Sequence, residues 1–438
     1  MTLAQLRTIR ADAVTVRPGR PLSGTVRVDG SKNAALPLLA AAASLGRTVH
    51  LAGLPASADV QLMLNLFEQC GYRVTHPVLE PASAVVMPRP GAIPAPVMAD
   101  AARIRASYYL VVPLLAAGGQ ATLPWPGGCR IGDRGMELHF RVYEAFGDSV
   151  AIDDDGYRVT AAKTVPDTVV IELPFRSRGA SIAAILRSVA AGSRLELGNP
   201  NLSPETVSVL TALRSSGWET DQNEDKITLV PPRGGLNDPA SWTVPGDKIE
   251  AGTLACAIAA TGGEGRIEGV TGSDLTPLMA LLDQAGIPAT LGPDSVTIHR
   301  STQLSGLPLR AVASLSPGGL DADFEPGLIA LALGLPGTHL FADAINPGRH
   351  GNLIPELARL GAKIEENSPT ECRLTGPQRL TGTQVEATDI RTGSALVIAG
   401  LTARGTTTVT GLGQLQRGHA DLPAKLRQLG ADITEVPR

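Results

Sequence analysis

A cysteine in a basic, glycine-rich segment is the sharpest chemical feature of this 438-residue sequence. Cys129 lies in the run PWPGGCRIGDRGMELH, together with Arg134, Glu137 and His139. A Pro-Gly-Gly stretch favours an exposed loop, and nearby guanidinium charge favours the thiolate by lowering the pKa of the thiol. Such a cysteine can attack a substrate or donate a proton to it, whereas a lone cysteine elsewhere is usually buried and inert.

A lysine and an asparagine begin the first apolar run of the chain. Lys32 and Asn33 follow Ser31 in VDGSKNAALP, where a helix is expected to start. A lysine beside the free amides of a helix N-terminus favours binding of an anion or a hydroxyl group. Alone, the pair would be an ordinary helix cap.

Further cations stand near the starts of several predicted helices. If these helices belong to repeats related by approximate threefold axes, equivalent starts converge and the cations meet. Such a group would bind a phosphate and a carboxylate bidentately, although any single member would be ordinary surface charge. The set is Lys32, Arg105, Arg178, Lys248 and Arg391, with Arg349 and Arg417 in loops after later strands.

Carboxylates accompany these cations in three short segments. A carboxylate near a substrate hydroxyl is a candidate general base, and a buried one can hold arginines in place. The sequence leaves open which residue does which. The segments are PGDKIEAGT with Asp247 and Glu250, GGLDADFEP with Asp321 and Asp323, and EATDIRTG with Asp389.

A repeated pattern predicts the elements that carry these residues. An alanine- and leucine-rich helix, a short β-prone segment and a second helix followed by glycine recur six times, in units of roughly 70 residues. Six such units indicate an α/β protein of two similar domains, with a boundary in the Pro/Gly-rich stretch 231–247 and ligands between them. The predicted domains are 31–240, and 1–30 together with 241–438.

Composition and charge argue against several classes of protein. The chain has 43% hydrophobic residues, a net charge of −4 and four scattered cysteines. We therefore expect no nucleic-acid partner, no membrane span, no disulfide framework and no zinc site. The N-terminal run MTLAQLRTIRADAV lacks an apolar core of signal length, so the expected location is the cytoplasm.

Taken together, these motifs resemble the enolpyruvyl transferases, in particular those that act on UDP-N-acetylglucosamine early in peptidoglycan synthesis. The resemblance covers nearly the whole chain. It rests on the runs GSKNAALP, RASYY, PGGCRIGDR, DKIEAGT and ATDIR, and on the pair Arg417-Gly418.

The resemblance implies an inside-out α/β barrel in each domain, each built from three repeated units, with the active site in the cleft between the domains. The substrates would be phosphoenolpyruvate and a uridine nucleotide, and no metal or organic cofactor would be needed. Phosphoenolpyruvate would be held by Lys32, Arg134, Arg391 and Arg417, with Arg105 as a further candidate.

The same resemblance implies roles for three other residues. Asn33 and Asp323 would contact the acceptor sugar, and Asp323 would remove the proton of its hydroxyl. Cys129 would protonate the methylene carbon of phosphoenolpyruvate or form a covalent adduct with it. A tetrahedral intermediate would then lose phosphate.

The acceptor side departs from the family pattern. Glu137 replaces the usual aspartate, and Phe175 replaces a lysine in the segment PFRSRGAS, where Ser177, Arg178 and Gly179 are expected to bind substrate. The segment around Asp323 is also rebuilt, which keeps Asp321 possible as the base, and Arg349 aligns only after a one-residue shift.

These departures leave several functions open. The acceptor is UDP-N-acetylglucosamine or, alternatively, UMP or another uridine nucleotide of nucleoside-antibiotic biosynthesis. Transfer to shikimate 3-phosphate is disfavoured because that branch lacks the loop cysteine. From another class, the chain could be an inactive sugar-nucleotide-binding regulator.

Overall fold

The computed structural model describes residues 11–76, 82–88, 95–127, 135–234, 239–419 and 421–437. Over these ranges the chain has a mixed α/β fold. Its elements up to residue 243 are β1 (Ala11–Arg17), β2 (Ser23–Arg27), α1 (Lys32–Ser44), β3 (Val49–Ala52), α2 (Ala58–Gln69), β4 (Arg73–Thr75), β5 (Ala84–Met87), α3 (Met98–Ala101), a 3-10 helix (Arg105–Leu110), α4 (Val111–Gly118), β6 (Gln120–Pro124), α5 (Glu137–Ala145), β7 (Ser149–Ile152), β8 (Gly156–Thr160), β9 (Thr168–Glu172), α6 (Arg178–Ala191), β10 (Arg194–Gly198), α7 (Pro204–Ser215), β11 (Glu219–Gln222), β12 (Lys226–Val230) and β13 (Ala240–Thr243).

The remaining elements continue the alternation of helices and short strands. They are α8 (Lys248–Ala260), β14 (Glu264–Glu268), a 3-10 helix (Gly272–Leu275), α9 (Thr276–Gln284), β15 (Ala289–Leu291), β16 (Ser295–Ile298), β17 (Arg310–Val312), a 3-10 helix (Ala322–Phe324), α10 (Glu325–Ala332), β18 (Gly337–Ala342), α11 (His350–Arg359), β19 (Ile364–Ser368), β20 (Glu371–Gly376), β21 (Gln384–Glu386), α12 (Ile390–Thr402), β22 (Thr407–Thr410), α13 (Leu412–Leu415), α14 (Leu422–Gln428) and β23 (Asp432–Pro437).

The described chain divides into two compact units. The division falls between residues 29 and 30 and again between 245 and 246, so the first unit begins at residue 30 and ends at 245. The second unit contains residues 11–29 and the described chain from 246 onward. Each unit has its own buried apolar core.

Three small sheets surround the core of each unit. The first unit has the strand orders β13-β3-β5-β4, β6-β8-β7 and β11-β12-β10-β9, and the second has β15-β16-β14-β2, β17-β18-β20-β19 and β21-β22-β1-β23. Each four-stranded sheet combines one parallel pair at its edge with antiparallel pairs. None of these six sheets closes on itself over the residues described.

The alanine-rich helices lie at the centre of each unit. Helices α1, α4 and α6 pack against one another in the first unit, and α8, α10 and α12 do so in the second. Small side chains allow close approach, and the helices are buried on nearly every face, as from residue 34 to 44 in α1 and from 390 to 401 in α12. A helix that is apolar all round is expected in such a position.

Glycines set the ends of the second helix of each predicted repeat. The glycine that follows this helix adopts the left-handed conformation in all six repeats, with φ between 82° and 99°, which a side chain would disfavour. These glycines are Gly71, Gly147, Gly217, Gly286, Gly361 and Gly430. Across the described ranges, no helix is both long and apolar enough to cross a membrane.

Candidate functional site

The starts of the three central helices of the second unit meet through ion pairs. Lys248, at the first position of α8, places its Nζ 2.8 Å from Asp321 Oδ2. Asp321 and Asp323 lie on the turn that leads into α10. Arg391, in the first turn of α12, donates from Nη2 to Asp323 Oδ2 at 3.0 Å. The acidic start of α10 is therefore paired with the basic starts of α8 and α12.

A carboxylate held between two guanidinium groups is the centre of this arrangement. Arg349 donates from Nη2 to Asp323 Oδ1 at 2.8 Å, while Arg391 donates to the other oxygen. The Asp323 side chain keeps 19% of its surface exposed, whereas Arg349 is 2% and Arg391 8% exposed. We call Asp323, Arg349 and Arg391, with Asp343 and His419 behind them, the Asp323 cluster.

The two arginines decide the protonation state of Asp323. Burial would raise the pKa of this carboxyl group, but the charges and hydrogen bonds of Arg391 and Arg349 outweigh burial and hold the pKa well below its ordinary value. Asp323 is consequently ionised at neutral pH. It can accept a proton, although its two cationic partners weaken it as a base.

Second contacts fix the orientation of both arginines. Arg349 Nη1 donates to the carbonyl oxygen of Ala322 at 2.6 Å and lies 3.4 Å from Asp343 Oδ2. Arg391 Nη1 lies 3.1 Å from His419 Nε2. Burial opposes both guanidinium charges, but Asp323 and its neighbouring carboxylates raise the pKa of each arginine above its ordinary value. The cluster therefore presents fixed positive charge.

Two of the predicted carboxylates cap helices. Asp389 Oδ1 accepts from the backbone amides of Arg391 and Thr392 at 2.8 and 3.1 Å, and Asp389 is 1% exposed. Asp247 Oδ1 likewise accepts from the amides of Ile249 and Glu250 at the start of α8. Such caps satisfy free helical amides and orient the basic side chain that follows.

Glu250 lies in a separate buried ion group. Both carboxylate oxygens of Glu250 are 2.7 Å from Lys425 Nζ, and one also accepts from the amide of Asp29 at 2.8 Å. Lys425 lies 3.0 Å from Asp29 Oδ2 as well. Burial raises the pKa of Glu250 to about 7, although Lys425 opposes the rise.

Arg417 follows α13, and its Nη1 lies 3.4 Å from Gln414 Oε1. The side chain is partly exposed, so it is accessible to a ligand.

In the first unit, Lys32 and Asn33 open α1 as the sequence indicated. Ser31 caps the helix by accepting from the amide of Ala34 at 3.3 Å. Lys32 Nζ lies 3.1 Å from Asp59 Oδ2, and the two side chains are 12% and 9% exposed. Asn33 is partly buried in the first turn. The lysine is thus held by a carboxylate that the sequence analysis did not single out.

Arg105 and Glu137 begin neighbouring segments of the first unit. Arg105 starts the 3-10 helix ahead of α4 and donates from Nη2 to the carbonyl oxygen of Gly135 at 3.2 Å. Glu137 is exposed at the first position of α5. Both residues are therefore at least partly accessible to solvent.

His139 is buried against the start of α6. Its ring lies 4.6 Å from that of Tyr108, and a Cβ on Gly179 would stand 2.5 Å from His139 Nε2. Neither ring nitrogen has a hydrogen-bond partner within the described residues. Burial, aided by Arg105, lowers the pKa of His139 to about 3, so the imidazole is neutral.

The start of α6 combines a cap, an ion pair and an exposed ring. Ser177 accepts from the amide of Ala180 at 3.3 Å, and Arg178 Nε lies 3.7 Å from the buried Glu205. Arg176 donates to the carbonyl oxygens of Pro200 and Glu224 at 3.3 and 2.7 Å. Phe175 is 57% exposed. Arg176 is thus committed to backbone oxygens, whereas Arg178 pairs with Glu205.

Cys129 and Arg134 lie outside the described residues, so their predicted roles stay predictions. Four partners were not foreseen from the sequence: Asp343 and His419 in the Asp323 cluster, Asp59 beside Lys32, and Glu205 beside Arg178. The sequence marks such residues only as polar side chains within apolar stretches, as with Asp343 in HLFADAIN.

Sequence comparison relates nearly the whole chain to known proteins. A family model described as EPSP synthase (3-phosphoshikimate 1-carboxyvinyltransferase) matches residues 16–426. The UDP-N-acetylglucosamine 1-carboxyvinyltransferase 2 of Listeria monocytogenes is 32% identical over 430 residues, or 97% of each chain. The protein of the same name from Bacillus anthracis is 32% identical over 427 residues, or 96% of each chain.

Solved structures extend the comparison to the fold. The enolpyruvyl transferase NikO from Streptomyces tendae matches with a TM-score of 0.83 and 26% identity, over 98% of this chain and 100% of that one. EPSP synthase from Acinetobacter baumannii matches with a TM-score of 0.74 over 97% and 100%, and at 19% identity it supports the fold alone. The chain belongs to the EPSP synthase family of enolpyruvyl (carboxyvinyl) transferases.

Proposed function

We propose that this chain transfers the enolpyruvyl group of phosphoenolpyruvate to a sugar hydroxyl of a uridine nucleotide, with UDP-N-acetylglucosamine as the acceptor. The observation that carries the proposal is Asp323 held between Arg349 and Arg391 and still partly exposed. An ionised carboxylate beside fixed guanidinium groups suits deprotonation of a hydroxyl next to an anionic donor. The 32% identity to UDP-N-acetylglucosamine 1-carboxyvinyltransferases supports this choice of acceptor.

The donor carries a phosphate and a carboxylate, and both need positive charge. Lys32, Arg391 and Arg417, with Arg134, bind these groups, and Arg105 is a further candidate. Arginine is suited to this task because its planar fork binds both oxyanions bidentately.

Donor binding also prepares Asp323 to act as the base. The pKa of Asp323 is low because Arg391 and Arg349 pair with it. When the donor anion also binds the Arg391 guanidinium group, its negative charge offsets part of that cation, and the Asp323 carboxylate becomes more basic. Asp323 then accepts the proton of the acceptor hydroxyl as its oxygen bonds to C2 of phosphoenolpyruvate, while Cys129 protonates the methylene carbon or bonds to C2 in an adduct that the acceptor oxygen displaces. The tetrahedral intermediate loses phosphate and one proton of the new methyl group, which restores the carbon–carbon double bond.

The first unit contributes the acceptor side. Asn33 contacts the sugar, while Ser177, Arg178 and Gly179 at the start of α6 contact the nucleotide, together with Glu137 and His139. The free amides of a helix start and a nearby guanidinium group attract phosphate oxygens.

A second acceptor has specific support. Arg176 donates to the carbonyl oxygens of Pro200 and Glu224, and Phe175 exposes an apolar ring beside the start of α6. Fewer free cations there would suit a nucleotide with less phosphate charge, such as UMP. The match to NikO at a TM-score of 0.83 is compatible with this alternative.

We propose the finer architecture from the same family membership. Each unit would form an inside-out α/β barrel of three repeats. Three sheets around three central helices in each unit support this proposal. The enzyme would act in the cytoplasm without a cofactor.

The test supplies phosphoenolpyruvate with UDP-N-acetylglucosamine, UMP or shikimate 3-phosphate in parallel. Phosphate release and an enolpyruvyl mass gain on UDP-N-acetylglucosamine are expected, with Asp323→Asn as a strongly impaired control. Turnover with UMP alone would favour the second acceptor, and turnover with shikimate 3-phosphate alone would overturn the nucleotide assignment. Nucleotide binding without turnover of any acceptor would instead indicate a regulator.

A further inference from the structure

A buried glutamate–histidine pair adjoins the Asp323 cluster along the chain. His350 Nε2 and Glu325 Oε1 are 3.2 Å apart, and each side chain is 1% exposed. Glu325 is the first residue of α10, two positions after Asp323, and His350 is the first residue of α11, next to Arg349. The pair thus joins the two segments that carry the acid and one arginine of the cluster.

Three contacts align these segments. Arg349 Nη1 donates to Ala322 O at 2.6 Å, Arg349 Nη2 donates to Asp323 Oδ1 at 2.8 Å, and His350 Nε2 lies 3.2 Å from Glu325 Oε1. Because Arg349 has several torsions, contacts of its own side chain leave the backbone beneath it free to shift. The Glu325–His350 contact ties the starts of α10 and α11 and removes that freedom.

The pair also acts on the charge of Arg349. Burial opposes that charge, while Asp323, Asp343 and, more weakly, Glu325 raise the pKa of the guanidinium group. Glu325 Oε2 and His350 Nδ1 have no hydrogen-bond partner in the described part of the chain. A buried, incompletely satisfied polar pair is costly compared with apolar packing, so stability alone is a poor reason for its presence.

We propose that Glu325 and His350 are positioning residues that hold the Arg349 guanidinium against Asp323, and thereby set the orientation of the reactive carboxylate. This proposal rests on the proposed function for its catalytic consequence and on geometry for its structural one. Each side chain is 1% exposed, so the proposed role is to position Arg349 and not to contact substrate.

The kinetic test is a double-mutant cycle between Glu325 and Arg349. Glu325→Ala is expected to lower kcat by about 10²-fold, the loss that a displacement of roughly 1 Å can cause, with little change in KM for phosphoenolpyruvate. In an Arg349→Lys background, Glu325→Ala should cause little further loss, because its effect passes through Arg349. If Glu325→Ala lowered kcat by the same factor in the wild-type and Arg349→Lys backgrounds, the proposal would be overturned.

Conservative and control variants separate positioning from folding. Glu325→Gln keeps the oxygen that faces His350 and should retain turnover close to that of the wild type. Glu356→Ala, on the same helix as His350, should leave kcat unchanged. A Glu325→Ala protein that only melts earlier, with full kcat per folded molecule, would mean a purely structural pair.

A structural measurement keeps the test independent of turnover. Crystal structures of the wild type and Glu325→Ala are expected to show the Arg349 Nη2 to Asp323 Oδ1 distance increasing from 2.8 Å. An unmoved guanidinium would overturn the positioning role even if the wild type were silent with every acceptor. Silence of the wild type with the predicted displacement would reject the proposed function alone.

Discussion

Arg391 reaches Asp323 across 68 positions of sequence, with its Nη2 3.0 Å from Asp323 Oδ2. This contact joins the first turn of α12 to the turn before α10. Because Arg349 occupies the other carboxylate oxygen, Asp323 is oriented by cations from both sides. The acid proposed as base is therefore held by residues that the donor anion can also use.

Replacing Asp323 by Asn should abolish the base while keeping the side-chain shape. We expect kcat to fall by about 10² to 10⁴, the usual contribution of a general base, with phosphoenolpyruvate binding retained. Steady-state kinetics and calorimetric titration of the donor measure the two effects.

Asp321→Asn is the matched control for this variant. Asp321 pairs with Lys248 and accepts from the amide of Asp323, so its loss should lower stability more than kcat. If Asp323→Asn kept full turnover and Asp321→Asn were inactive, Asp321 would be the general base.

Alkylation should distinguish Cys129 from the other three cysteines. Cys70, Cys256 and Cys372 are buried, and burial raises the pKa of each thiol to about 12, so they are poor nucleophiles. A fosfomycin-type epoxide should add once, at Cys129, as peptide mass spectrometry would show. The Cys129→Ser variant should resist the reagent and lose turnover, whereas an adduct on a buried cysteine would contradict the assignment.

Local signals in the sequence were enough to place the helix starts. Ser31, Asp247 and Asp389 each cap the helix that carries a predicted cation, because short polar side chains satisfy the free amides there. Such caps act over two or three residues, so they are visible in the sequence.

The pairings between those starts could not be read in the same way. Arg349 and Asp323 are 26 positions apart, and His419 lies 28 positions from Arg391. These contacts depend on how the starts of α10, α11 and α12 and the segment after α13 come together in the fold. Sequence therefore predicted Asp321 and Asp323 as alternatives, and it could not assign a partner to either.

A methyl group at Gly179 should disturb the start of α6. The Cβ of Gly179→Ala would stand 2.5 Å from His139 Nε2 and 3.1 Å from the Tyr108 hydroxyl. Because His139 is buried and cannot move freely, we expect KM for the nucleotide to rise about tenfold, with a smaller effect on the donor. Gly118→Ala is the control, since its Cβ would meet nothing within 4 Å. An equal rise in the nucleotide KM for both variants would show that the start of α6 does not bind the nucleotide.

Breaking the ion pair between Arg187 and Asp148 should destabilise the first unit. Arg187 donates to both oxygens of Asp148, at 2.7 and 2.8 Å, and the side chains are 5% and 0% exposed. Arg187→Ala leaves a buried carboxylate unpaired, so urea unfolding should show a loss of about 3–5 kcal/mol. The control Arg194→Ala removes a more exposed partner of Glu196 and should change stability by ~0–1 kcal/mol. A loss of that smaller size for Arg187→Ala would mean that the pair is well solvated.

Glu250 should make the stability of the second unit depend on pH. Burial raises its pKa from 4.5 to about 7 on folding, so between these pH values the folded protein retains a proton that the unfolded chain has released. The free energy that protonated Glu250 contributes to the stability of the folded protein is therefore fully present below pH 4.5 and is lost as the pH rises through 7. At ~1.4 kcal/mol per pK unit, the free energy of unfolding should fall by roughly 3 kcal/mol across this pH window.

Urea unfolding of the wild type and Glu250→Gln at both ends of this window isolates that contribution. Glutamine does not titrate, so the stability advantage of the wild type over the variant should shrink as the pH rises from 4.5 to 7. Lys425→Met removes the cation that opposes the pKa rise, so the loss of stability should extend to higher pH. Parallel pH curves for wild type and Glu250→Gln would show that the Glu250 carboxyl group keeps its ordinary pKa in the folded protein.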